Sequence, residues 1–204
     1  SLNEDGSLAD YRRIAEEAPA QGQKWYAYRK LALPSPWYNN QTYVNTLDPA
    51  AMHRFIEVTY DRYLETVGED FGKTVPAIFT DEPQFTVKKP LPFADSQENA
   101  VMPWSDDLPT TFAAAYGEDL MAHLPEIFWD LPEGTPSVIR YHFHDHVCER
   151  FTQAFADQCG KWCREHGLML TGHMMQEPTL QTQTGSLGEA MRAYRGFDLP
   201  GIDM

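Results

Sequence analysis

Cysteine is scarce in this chain, with three residues in 204, and Cys148, Cys159 and Cys163 all fall within one helix-like stretch. An odd number at those spacings offers neither a disulfide framework nor a zinc-ligand pattern, so they read as buried thiols. Basic residues are also few: 16 Lys and Arg against 30 Asp and Glu leave a formal charge of −14. Such a field repels phosphate backbones and anionic lipid surfaces, which argues against nucleic acid as a partner. No run approaches the ~18 consecutive apolar residues of a membrane span. There is no HExxH motif, no internal repeat and no low-complexity tract. A secretory leader is missing too, and the chain opens at Ser1, as expected of a processed or excised piece. Cytoplasmic and exported settings both stay open.

What the chain does contain is 42% hydrophobic and 13% aromatic residues at a mean hydropathy of −0.50, the composition of a folded domain. Its length suits one core, yet falls short of the roughly 250 residues of a complete eight-stranded α/β barrel. Residues 1–23 are polar and aperiodic and read as an irregular lead-in. Lys24–Leu33 is β-prone with partial alternation and stops at Pro34-Ser35-Pro36. The loop after it holds Trp37, Tyr38, Asn39 and Asn40; aromatics among amides in a loop make a binding surface. Asp48-Pro49 is an N-cap followed by a first-turn proline, and it opens a helix predicted to close near Gly68.

The apolar run ending Phe79-Thr80-Asp81-Glu82-Pro83 reads as a parallel strand covered on both faces. A long proline-containing loop over 84–109 follows, then a short helix over 110–123. Ser137 caps a long helix that ends at His166-Gly167. Leu168–His173 reads as a second strand, 174–188 as a Gln- and Thr-rich loop, 189–194 as a helical turn, and 197–203 as a third strand ending in Asp203. Strand and helix alternate, so the expected class is α/β with parallel strands: a (β/α)8 TIM-barrel type, present as a partial barrel of about strands 3 to 6. An isolated part-barrel would leave sheet edges open to self-association.

Barrel enzymes place their chemistry at the C-terminal ends of the strands. Asp81-Glu82, His173 with Glu177 following it, and Asp203 all sit at such ends. Two carboxylates across a cleft with aromatic platforms suit glycoside hydrolysis, one protonating the leaving oxygen and the other attacking or activating water. Each acid also has a plainer reading, as a helix cap or a solvated loop charge. His142, His144 and His146 alternate on a helix that would lie away from the active face, so they are not read as a zinc site.

Ser35-Pro36-Trp37-Tyr38-Asn39-Asn40-Gln41-Thr42-Tyr43-Val44-Asn45, Leu47-Asp48-Pro49, Phe79-Thr80-Asp81-Glu82-Pro83, Thr171-Gly172-His173 and Leu199-Pro200-Gly201-Ile202-Asp203 together resemble the catalytic barrel of large bacterial glycoside hydrolases. The similarity is to the α-L-rhamnosidase-like group and its uncharacterised relatives. That resemblance implies a single catalytic-barrel segment, residues 1–204, from a larger multidomain protein that cleaves O-glycosidic bonds of plant or microbial glycans. It implies Glu82 as acid or base and Glu177 as second carboxylate, with Asp81, His173, Trp37, Tyr38, Asn39, Asn40 and Asp203 binding substrate. Some such enzymes use calcium, which Asp81 or Asp203 could join; the residues alone ask for no cofactor. The alternatives are a non-catalytic carbohydrate-binding barrel and a structural or interaction fragment.

Overall fold

The computed structural model describes residues 1–203, which divide into two compact units, 1–31 with 88–146 and 32–87 with 147–203. In the second unit, Asp48 caps helix α1 (Pro49–Val58), its carboxylate accepting from the Ala50 and Ala51 N–H groups. The expected single helix is broken at Thr59, whose hydroxyl donates to the Phe55 carbonyl at 2.5 Å. Back-bonding of this kind bends helices, and α2 (Tyr60–Val67) starts afresh.

Strand β1 (Ala77–Asp81) pairs in parallel with β2 (Met169–His173), and β2 with the two-residue β3 (Leu199–Pro200). This three-stranded sheet is open, which corrects the barrel expected from the sequence. Lys24–Leu33 forms no strand. Nor is β1 covered on both faces, since Phe79 is 61% exposed. The third strand is cut short at Pro200, which has no N–H to give to a ladder. Just before it, the Asp198 carboxylate takes the Leu170 N–H at 2.9 Å in place of a strand carbonyl.

Helix α4 (Val138–Phe151) runs from the first unit into the second and continues through a π-helical turn, Thr152–Asp157, into α5 (Gln158–Glu165). Tyr60 packs against Trp162 with ring centres 5.1 Å apart. Leu47, Met52, Phe151, Leu170, Met174 and Leu187 are fully buried here. Within the stretch expected to be loop, Thr179 forms a capping box with Thr182 and starts α6 (Leu180–Ser186), which precedes α7 (Ala190–Ala193).

The first unit holds α3 (Leu108–Tyr116), shorter than the helix expected, and buries Phe112, Leu120, Ile127 and Phe143. The three alternating histidines go to separate partners: His142 to Glu118 at 3.0 Å, His144 to Lys88 at 3.0 Å and His146 to Thr111 at 2.9 Å.

Candidate functional site at the strand ends

The sheet brings the ends of its strands together by one very close approach. Thr80 faces Gly172 in register, and a Cβ at Gly172 would lie 2.0 Å from the Thr80 carbonyl oxygen. With φ at +133° as well, only glycine fits. Gly201 then donates its N–H to the Gly172 carbonyl at 2.7 Å, drawing the segment that carries Asp203 against the same strand end.

The result is a constellation of Glu82, His173 and Asp203, each offering one ligating atom, with all three atoms within 4.8 Å of one another. Glu82 extends the ladder, its N–H donating to the His173 carbonyl at 3.1 Å, but it sits in the left-handed region at φ 47°. Backbone strain at a non-glycine residue clusters at working sites. Asp81 adds a fourth group, its Oδ1 lying 3.1 Å from His173 Nε2. The imidazole is 13% exposed and meets the Phe79 ring edge-on at 5.5 Å. Its Nδ1 is buried and makes no hydrogen bond to a described residue.

Two carboxylates and an imidazole form a donor set suited to a divalent cation. The same groups can accept hydrogen bonds from ligand hydroxyls.

Glu177 lies outside this trio. Its Oε1 accepts from the Met174 N–H at 2.7 Å and from the Tyr194 hydroxyl, so the side chain ties the turn after β2 to residue 194. Burial, then the hydrogen bond to Glu177, raises the Tyr194 pKa and keeps its proton in place to donate.

The aromatic and amide loop is a built turn. Ser35 caps a 3-10 turn, Pro36–Tyr38, and Asn39 and Asn40 adopt φ of 52° and 59°, which Asn tolerates better than most residues. Tyr38 packs on Tyr43 at 4.9 Å between ring centres. The Tyr43 hydroxyl accepts from the Gln84 N–H at 3.3 Å, and Thr46 donates to the Gln84 carbonyl at 2.7 Å. The loop is thereby fastened to the chain two residues past Glu82, with Trp37 87% exposed beside the turn. Tyr43 and Phe79 were visible in the sequence, one as the end of that loop and the other in the strand motif; Tyr194 carried no signal of its own.

No family model matches the chain, and no curated protein matches it. Among solved structures, a rhamnosidase from Novosphingobium sp. PP1Y is similar with a TM-score of 0.52 and 15% identity over 77% of this chain. The match takes in only 14% of that larger protein, so what the likeness establishes is a shared fold over this stretch.

Proposed function

We propose that the strand-end constellation is the catalytic centre of a glycoside hydrolase, with Glu82 as general acid/base. The observation that carries this reading is the convergence of Glu82, His173 and Asp203 from three adjacent parallel strands. The fold likeness to a rhamnosidase supports it, and makes an α-L-rhamnoside the first substrate to try.

In this mechanism Glu82 delivers a proton to the glycosidic oxygen as the bond to the sugar breaks. Asp203 is the carboxylate placed to act opposite it. Their oxygens, within 4.8 Å, come nearer the roughly 5–5.5 Å carboxyl spacing of retaining enzymes than the 6.5–9.5 Å of inverting ones. His173 Nε2 pairs with Asp81, and Asp81, itself largely exposed, accepts from a sugar hydroxyl. Trp37 and Tyr38 supply stacking surface, and Asn39 and Asn40 supply amides. Glu177, expected from the sequence as the second carboxylate, becomes a positioning residue that acts through Met174 and Tyr194. A divalent cation held by the same trio would keep Glu82 and Asp203 ionised and so would compete with proton delivery, which the calcium and EDTA arms of the assay read.

The test is hydrolysis of an aryl α-L-rhamnoside, within a panel of aryl glycosides, with calcium and with EDTA. Glu82→Gln and Asp203→Asn are expected to lower the rate by about 10²–10⁴ with unfolding midpoints unchanged. Glu177→Gln should lower stability while costing far less activity. Wild-type turnover by Glu82→Gln removes it from the mechanism. Saturable sugar binding that Glu82→Gln weakens, with no turnover by the wild type, favours the non-catalytic carbohydrate-binding alternative.

A further inference from the structure

The first unit contains a separate pocket of about 390 Å³, within the size range of small-molecule sites. Its floor is Phe128, Trp129 and Leu131, and its rim carries Asp5, Asp130 and Phe93. The walls are tied together by the protein's own bonds. Leu8 donates its N–H to the Asp130 carbonyl at 2.8 Å, and the Trp129 indole N–H reaches the Ala94 carbonyl at 2.8 Å. Gly6, at φ +85°, lets the turn of residues 3–7 close against Ala94, where an added Cβ would come within 2.8 Å of the alanine methyl. The cavity is therefore preformed.

Both rim carboxylates are held by one oxygen and open at the other. Asp5 Oδ1 accepts from the Ser7 N–H at 3.0 Å and from its hydroxyl at 2.6 Å. Asp130 Oδ1 accepts from Arg140 at 2.7 Å. Neither Oδ2 takes a hydrogen bond from a described residue. Phe93 is 74% exposed and lines the same pocket. Oriented acceptors around an aromatic plate match a pyranose, whose C–H face stacks while its hydroxyls donate. A ligand carrying a phosphate or carboxylate would meet two carboxylates.

We propose that this pocket is a second, non-catalytic binding site for a single neutral pyranose residue. It rests on the pocket's own chemistry and stands whether or not Glu82 is catalytic.

The experiment is ligand-observed NMR and calorimetry on the protein with L-rhamnose, L-fucose, D-glucose, D-galactose and D-xylose, and with phenethylamine as a cationic control. At least one sugar should bind. Asp5→Asn and Phe93→Ala should each weaken it about tenfold or more, while Glu82→Gln leaves it unchanged. Both rim side chains are exposed, so neither variant endangers folding, which circular dichroism verifies. Binding abolished by Glu82→Gln and untouched by the rim variants would assign it to the strand ends and overturn the proposal. So would binding of the amine alone, or of none of the five sugars.

Discussion

Glu126 is a buried carboxylate held by Ser137 at 2.5 Å, by the Tyr11 hydroxyl and by His123 at 3.1 Å. Burial alone would raise its pKa, but these hydrogen bonds outweigh burial and hold it below the usual glutamate value. A depressed folded-state pKa means stability that is complete above the unfolded value of about 4.3 and lost as pH falls through the folded one. Glu126→Gln should therefore cost about 1–3 kcal/mol at pH 7 and flatten the acid limb of the stability profile in urea titrations. Lys88 and His144 form a second pair whose ionisation is set by burial. Burial, then the nearby Arg140 charge, brings Lys88 down to about 8. Burial, with the Lys88 and Arg140 charges, takes His144 to about 3, leaving it neutral to accept from Lys88. Between pH 8 and the unfolded lysine pKa near 10.4 the unfolded chain binds more protons, so the Lys88 contribution grows more favourable as pH rises. A ¹³C titration of the Lys88 side chain should give a midpoint near 8, and a midpoint above 10 would refute the assignment.

Where strands and helices meet, single residues decide the geometry. Gly172→Ala would press a methyl into the Thr80 carbonyl at a left-handed position, and should cost about 3 kcal/mol or more, read from denaturant midpoints. Glu82 spends stability on its left-handed backbone, so Glu82→Asn should gain up to about 1 kcal/mol while removing activity. A loss of stability instead would show that its carboxylate holds the strand ends together. Asp48→Ala should cost about 1 kcal/mol by uncapping α1. The cap at Asp48-Pro49 and the strand at Phe79 were legible because they depend on neighbours in sequence. Helix α6 was not, since its Gln- and Thr-rich composition has no apolar period and its start rests on the reciprocal Thr179–Thr182 bonds. Lys24–Leu33 misled in the opposite sense: β propensity describes fitness for a pleated surface, and among the described residues this run pairs with no strand.

Across the molecule, a charge of −14 and a sequence pI near 4.8 act on a sheet whose edges are open at β1 and β3, with Phe79 and Leu199 exposed. Mutual repulsion at neutral pH opposes edge pairing. Light scattering should show self-association increasing as pH falls towards 5, and none at pH 8 in low salt. Composition and local pattern by themselves determined the acidic character, the α/β alternation, the helix caps and the candidate acids at strand ends, because each depends on residues a few positions apart. Only the tertiary structure decided that the sheet stays open and that Glu82, His173 and Asp203 meet. It also turned Glu177 towards Met174 and Tyr194. Those outcomes depend on contacts between residues up to about a hundred positions apart: the fit of Gly172 on Thr80, the reach of Gly201 to Gly172, and a hydroxyl from residue 194.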